Sequence, residues 1–329
     1  VSYVVYILHK MRKIKMKSIL LIDGNNLMYR GLGRAHMTHN GKRTEGIFMG
    51  LSMLKNLLVQ FEPALVFVVW DGGCDPERRA KYPDYKKRKI KKTKAEEVEM
   101  KEFYRQVPKF VDALSKLGIM QVKIKNREAD DIIYSLIDGL EMFSLPDVKT
   151  IIVSTDKDFF QLLKKTNVYN PVKGEMMTEE LYEKTYGFPV EFSLMYKAMS
   201  GDRSDNLPGV FGVGAVGATM YIKTLLKTEN EKMGLKEKTK LQKIVDKVDK
   251  NFEVFELMFE LMKFKRIDLT EIVSNLIHPQ PQALSELQDN GMKLISDYGF
   301  NSLLEQFGSF LIPFELLFMK PGNDIGKKP

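Results

Sequence analysis

Three apolar runs that each close on an aspartate constrain this chain most. Ile19-Leu20-Leu21-Ile22 precedes Asp23, Leu65 to Trp70 precedes Asp71, and Ile151-Ile152-Val153-Ser154-Thr155 precedes Asp156. Unbroken β-branched and aliphatic runs of this length suit strands buried on both faces of a parallel sheet, whose carboxyl ends open onto the ligand crevice. Three acids are therefore expected at one sheet edge. Others follow: Glu128, Asp130 and Asp131 open an amphipathic helix, Asp158 lies two residues past Asp156, and Gly201-Asp202-Arg203-Ser204-Asp205-Asn206 adds two more. Converging carboxylates repel and take up protons unless cations separate them, and hard divalent metals suit an all-oxygen donor set. The pattern predicts a two-metal phosphoryl-transfer site.

At 329 residues the chain is long enough for a full core and one or two domains. Lys and Arg total 51 against 43 for Asp and Glu, a formal net charge of +8, so positive surface coexists with the acidic cluster. That combination fits a polyanionic substrate handled by metals. Cys74 is the only cysteine, which excludes an intramolecular disulfide, argues against thiolate zinc and Fe–S clusters, and implies a reducing, cytoplasmic setting. The apolar residues 1–8 are too few to span a bilayer and precede their basic cluster, the reverse of a secretory signal. With Met11 and Met16 both suited as starts, residues 1–15 read as a disordered or mis-started leader.

Along the chain, residues 16–190 alternate strand-like and helix-like patterns, the mark of an α/β layer fold. A helix is expected over 46–61, with Ile47, Leu51, Leu54 and Leu58 on one face, another over 107–117 closed by Gly118, and a short strand over 119–124. Ile132, Ile133, Leu136, Ile137 and Leu140 recur at helical spacing, which puts the acids at 128–131 in that helix's first turn. Acids there also suit the helix dipole. From 191 to 329 strands give way to helices, including an apolar stretch over 252–264, a lysine-rich connection or solvated helix face over 227–250, and a turn at Pro279–Pro281.

Taken in order, the motifs closely resemble the 5′-nuclease (flap endonuclease) superfamily, both the nuclease part of bacterial DNA polymerase I and the stand-alone phage and bacterial 5′-3′ exonucleases. The matching segments are Leu21-Ile22-Asp23-Gly24-Asn25-Asn26-Leu27-Met28-Tyr29-Arg30, Val69-Trp70-Asp71, Tyr82-Pro83-Asp84-Tyr85-Lys86, Arg127-Glu128-Ala129-Asp130-Asp131, Ser154-Thr155-Asp156-Lys157-Asp158, and Ser200-Gly201-Asp202-Arg203-Ser204-Asp205-Asn206-Leu207-Pro208-Gly209-Val210. With no polymerase or proofreading segment following, a free-standing nuclease is expected.

The resemblance implies a PIN-like (resolvase-like), mostly parallel sheet flanked by helices, a basic arch at about 76–100 and a helix-hairpin-helix at about 200–225. It implies two Mg²⁺ ions, replaceable by Mn²⁺. Asp23, Asp71, Glu128 and Asp130 would hold the deeper one, Asp156, Asp158, Asp202 and Asp205 the second, and Asp131 would support them. Lys86 and Arg78 fall on the arch lysine and arginine that contact the scissile phosphate, while Arg88 and Lys89 would bind DNA alongside Lys86. Gly209, Gly212 and Gly214 would bring hairpin N–H groups to a duplex phosphate. Tyr29 and Tyr85 suit either base stacking or packing. Implied partners are branched or 5′-ended duplex DNA, RNA–DNA hybrid and replication proteins, met by a monomer with no membrane contact in a bacterial or phage-infected cytoplasm.

One position departs from the pattern. Many relatives carry Lys shortly after the second hairpin glycine, where this chain has Val216. Two other functions fit parts of the sequence: a catalytically silent flap-DNA-binding protein, disfavoured by the full set of nine acids, and a PIN-type ribonuclease, disfavoured by the arch and hairpin segments.

Overall fold

Hydrophobic burial on both faces dictates the centre of the molecule, which is a computed structural model describing residues 18–31, 37–87, 93–142, 149–226 and 235–319. The expected leader, residues 1–15, lies outside the described residues. Every residue of β1 (Ser18–Asp23) and of β4 (Leu65–Trp70) is buried. They pair in parallel, Ile19 against Leu65 through Asp23 against Val69. The other edge of β1 pairs in parallel with β6 (Lys149–Val153).

Including β5 (Met120–Lys123), β7 (Asn167–Asn170), β8 (Glu175–Met177) and β9 (Leu276–Ile277), the seven-stranded sheet runs β8-β7-β6-β1-β4-β5-β9. Only the edge strands β8 and β9 pair antiparallel. A two-residue hairpin, β2 (Thr38–His39) and β3 (Lys42–Arg43), stands apart from it. The fold is thus the expected α/β, mostly parallel sheet flanked by helices. One strand falls in the region expected to be all helix: β9 borrows the edge of β5, too short to leave a periodic signal.

The alternating side chains of the central strands feed two separate cores. Leu20, Ile22, Val66, Val68 and Trp70 pack with Phe110, Leu114, Phe310 and Phe314, while Ile19, Leu21, Leu65, Phe67 and Val69 pack with Ile132, Ile133, Phe159 and Tyr182. The helices Glu45–Phe61, Lys94–Lys116, Leu284–Asp297 and Phe307–Met319 cover the first face. Residues far beyond 190 therefore return to the α/β layer. The helices Ser193–Ser200, Gly214–Leu225, Leu235–Lys250 and Phe252–Met262 build smaller clusters around Met199, Val210, Ile244 and Met258.

The helix expected over 107–117 is longer than its apolar pattern. It starts at Lys94, where Thr93 and Glu96 form a reciprocal capping box, and it continues through Pro108. Its first two turns are solvated, so no hydrophobic period marks them. The basic segment upstream folds as a short helix, Pro76–Lys81, capped by the Asp75 side chain.

Candidate metal centre

The chain leaves β1 for β4 and β5 on one side, then returns to β6 on the other. The carboxyl ends of β1 and β6 thereby flank a topological switch point, where open α/β sheets bind ligands. Asp23 closes β1 there and is buried. Its Oδ1 accepts from the Asn26 N–H at 2.9 Å and its Oδ2 from Ser154 Oγ at 3.1 Å. Asn26 in turn bonds Thr155 through both ends of its amide, tying the β1 turn to the β6 turn. Asp71, exposed just beyond β4, accepts from the Ala129 N–H at 2.9 Å, so it caps the helix Ala129–Met142 that carries Asp130 and Asp131. Asp156 Oδ1 accepts from the Asp158 N–H at 2.9 Å.

Convergence is legible in the proton affinities. Burial, then the neighbouring Asp71 and Asp156 charges, pushes the Asp23 carboxyl up to about 7 despite the opposing Asn26 and Ser154 hydrogen bonds. Burial together with Asp156, Asp23 and Asp71 pushes Asp130 well above the carboxylate range, against a partial offset from Lys86. Asp71 and Asp156 thus act on both Asp23 and Asp130, as like charges in one cleft do.

Lysines and an arginine neutralise the rest. Glu128 is buried, which alone would raise it, yet Lys86 and Arg78 outweigh burial and hold it below the usual range. Its Oε2 accepts from Lys86 Nζ at 3.0 Å, Arg78 Nη1 at 3.1 Å and the Tyr85 hydroxyl at 2.9 Å. Lys86 Nζ also lies 3.8 Å from Asp205 Oδ2, while burial, outweighing that lysine, lifts Asp205 to about 6. Lys197 pairs with Asp158 and, at 2.8 Å, with Asp202. That lysine, with bonds from Ser204, overrides burial and draws Asp202 down to about 2.

Two of the expected site residues have their surroundings filled by the protein itself. Arg78 is 3% exposed, turned inward from the capped helix rather than toward a phosphate under the arch. It clamps Asp131 through two bonds, 2.6 and 2.8 Å, and donates to the Lys263 carbonyl at 2.9 Å. Asp131, also accepting from the Lys265 N–H at 2.8 Å, is a structural acid whose oxygens are committed beneath the cleft. Gly209 is buried as well: a Cβ there would lie 2.4 Å from the Gly201 nitrogen, so backbone packing at φ +68° requires its missing side chain.

The donor set fits divalent metals. Its oxygens are hard, and Asp23 and Asp130 are held uncomfortably close to other acids. Spacing is loose, however. Among the described residues, the triplet whose carboxylate oxygens all come within 4.8 Å is the surface set Glu179, Glu183 and Glu191, distinct from the nine acids.

The family model for the 5′-3′ exonuclease N-terminal, resolvase-like domain matches residues 18–187, which hold both strand-end turns and the Glu128–Asp131 helix start. The chain belongs to the 5′-3′ exonuclease family. A 5′-3′ exonuclease of Aquifex aeolicus is 32% identical over 285 residues, spanning 84% of this chain and 93% of that one. DNA polymerase I of Bacillus subtilis is 30% identical over 311 residues, 89% of this chain, which spans only 32% of that polymerase. Among solved structures, the bacteriophage T5 5′-exonuclease with zinc bound has a TM-score of 0.59 at 18% identity, covering 91% of this chain and 99% of that one. The catalytic core of Rad2 in complex with DNA has a TM-score of 0.54 at 18% identity, covering 91% and 92%. Both share the fold.

Elsewhere in this exonuclease-family chain, Gly212 and Gly214 are at the surface at the start of the helix Gly214–Leu225, and Val216 is 73% exposed. Tyr85 is buried and bonded to Glu128, whereas Tyr29 is 49% exposed with its ring edge-on to Phe103. Arg88 and Lys89 lie outside the described residues. Sequence reasoning missed Lys197, one lysine among many whose role appears only when its helix faces Asp158, and it missed Asn26 and Ser154 as the fixers of Asp23. Both lay within the quoted motifs, where a polar residue beside a strand-end acid was the available signal.

Proposed function

We propose that this protein is a Mg²⁺-dependent, structure-specific 5′ nuclease that hydrolyses phosphodiester bonds at 5′ ends, flaps or primers on duplex DNA, releasing 5′-phosphorylated fragments. The observation that carries this reading is the placement of Asp23, Asp71 and Asp156 at or just past the carboxyl ends of three neighbouring parallel strands, with Asp71 bonded to the start of the helix that carries Asp130. In it, Asp23, Asp71, Glu128 and Asp130 hold one cation, and Asp156, Asp158, Asp202 and Asp205 the other, partly through water. Bound there, Mg²⁺ or Mn²⁺ supplies a nucleophile at neutral pH and neutralises charge on the leaving oxygen.

The chain's own residues do the remaining work. Ser154 and Asn26 fix the Asp23 oxygens, and Asp71 holds the helix start that carries Asp130. Lys86 sits at the rim in the left-handed region, φ +53°, with its N–H on the Asp205 carbonyl at 2.8 Å. A non-glycine residue kept there stores strain, which is common where a side chain must be aimed. Its ammonium is aimed to contact the scissile phosphate as charge develops. The surface N–H groups near Gly212 and Gly214, at a helix N-terminus, suit a duplex phosphate. Arg88 and Lys89 add positive charge to the arch, RNA–DNA hybrid is a second substrate, and replication proteins are partners of a monomer. A cytoplasmic setting is supported by the single cysteine; no described helix is long and apolar enough to cross a membrane.

The test is cleavage of a 5′-flap duplex beside the matching single strand, with and without Mg²⁺. Metal-dependent release of 5′-phosphorylated products from the flap is expected. Binding without cleavage would mark a silent flap-binding protein, and preferential cutting of single-stranded RNA a ribonuclease.

A further inference from the structure

A cavity of about 580 Å³ opens beside the second group of acids, within the size range of small-ligand sites. One wall is the polar edge already described, with Asn26, Asp156, Asp158, Lys197 and Asp202. The lining also includes an aromatic cluster that belongs to none of the sequence motifs: Phe160, Tyr182, Tyr186 and Tyr196. Tyr182 and Tyr186 stack with centroids 4.4 Å apart and planes 19° apart, and Tyr196 stands edge-on to Tyr186 at 5.7 Å and 72°.

Tyr182 is 1% exposed as a whole residue, yet its hydroxyl is not among the sealed polar atoms that lack a partner, so it opens on the cavity. The Tyr182, Tyr186 and Tyr196 hydroxyls make no hydrogen bond to another described residue, and all three residues line the cavity. Burial holds all three hydroxyls above the usual phenol range, so they remain neutral donors and acceptors. A flat, electron-rich ligand with polar edges would satisfy them while covering the half-buried Tyr186 and Tyr196 rings. A nucleobase is such a ligand, and aromatic side chains stack on any base.

We propose that this cavity is a base-binding subsite that takes one unpaired nucleotide of the substrate strand, its base against Tyr186 and Tyr196 and its phosphate toward Lys197 and the cations held by Asp156, Asp158 and Asp202. Phosphate and base then engage the polar and the aromatic lining of one cavity, so a nucleotide is held at both ends. The subsite rests on the reading of the acids as a phosphodiester-hydrolysing centre.

Two measurements on the full chain test it. In calorimetry with Mg²⁺ present, adenosine 5′-monophosphate should bind about tenfold more tightly than ribose 5-phosphate, the difference being the stacked base. Tyr196→Leu, at the cavity rim, and Tyr186→Leu should each shrink that preference while leaving ribose 5-phosphate affinity unchanged, with circular dichroism confirming folded variants. In single-turnover cleavage of a flap, an abasic residue next to the scissile phosphate should slow the parent about tenfold and Tyr196→Leu far less. Equal binding of the two probes would overturn the subsite. A base preference in calorimetry with no abasic effect on cleavage would assign the cavity to a free mononucleotide and overturn the strand assignment. A base preference in a protein that cleaves nothing would uphold the subsite and remove the nuclease reading instead.

Discussion

Asp23 and Glu128 lie at the same sheet edge, are almost equally buried, and are driven in opposite directions. Asp23 is raised to about 7 because its charged neighbours are other acids and its hydrogen-bond donors are neutral. Glu128 is lowered because Arg78, Lys86 and the Tyr85 hydroxyl converge on it. Half of the cleft thus carries its own counter-ions, with Lys197 doing the same for Asp158 and Asp202, while the other half needs positive charge from outside. The difference teaches that nine acids in one cleft are not nine equivalent ligands. Some meet an incoming cation already paired with a lysine or an arginine, and others meet it with no protein cation beside them.

Substitutions that remove one negative charge from each half should break the symmetry most sharply. Asp71→Asn or Asp130→Asn should reduce cleavage below detection while leaving the metal-free protein as stable as the parent or more so, since repulsion is relieved. Glu128→Gln should also cost activity, but it leaves Arg78 and Lys86 short of a partner and should destabilise the fold by about 3 kcal/mol, as breaking buried ion pairs does. Urea unfolding in chelator reads both. Equal stability changes in the two halves would erase the distinction.

Next in size is the rim. Lys86→Ala should lower the single-turnover rate by on the order of 10²-fold with a smaller effect on binding, whereas Lys94→Ala, exposed on the adjoining helix, should change little. If the two behave alike, the basic segment acts as a diffuse attractive surface.

The pH dependence of stability separates the halves without mutation. A folded-state pKa raised to about 7 from 3.8 means that Asp23 binds its proton more tightly when folded. Its contribution is full below pH 3.8 and is lost as pH rises toward 7, a loss of at most about 4 kcal/mol. Asp202, lowered to about 2, runs the other way: its contribution is present above 3.8 and is lost as pH falls toward 2. In chelator, the melting temperature should therefore decline from pH 4 to 7, and the gain on adding Mg²⁺ should be larger at pH 8 than at pH 5. A Mg²⁺ effect independent of pH would show that Asp23 is not relieved by the ion.

The smallest expected effect lies at the hairpin. Val216 is exposed beside Gly212 and Gly214, so Val216→Lys should add one phosphate contact and steepen the slope of log K against log salt for duplex by roughly 0.9, with single-strand binding little changed. An unchanged slope would mean that this face does not meet DNA.

The strands, the three strand-end acids and the order of motifs were legible in the sequence because each is local: an apolar run, an acid at its end, glycines at fixed spacing. The partners of Arg78 were not legible for the same reason. Its neighbours in sequence are basic and arch-like, but its partners are Glu128, Asp131 and the Lys263 carbonyl, the last 185 residues away. Lys197 acquires its role only through packing of its helix against the loop at Asp158, and nothing within ten residues of Lys94 announces a helix start except Thr93 and Glu96.

The segment from Lys263 to Ile267 has a practical consequence for anyone dissecting the molecule. Its backbone takes Arg78 at Lys263, reaches Asp131 from Lys265 and Ser135 from Ile267, and the Lys265 ammonium closes on Asp75 at 2.7 Å. A fragment trimmed to the motif-bearing residues 18–220 would keep all nine acids and lose this clasp. It would also strip Phe310 and Phe314 from the sheet face that holds Leu20, Val66 and Trp70. Trimming guided by motif boundaries would uncover this sheet face while keeping every acid, so a fragment meant to retain the packed sheet should extend to the helix ending at Met319.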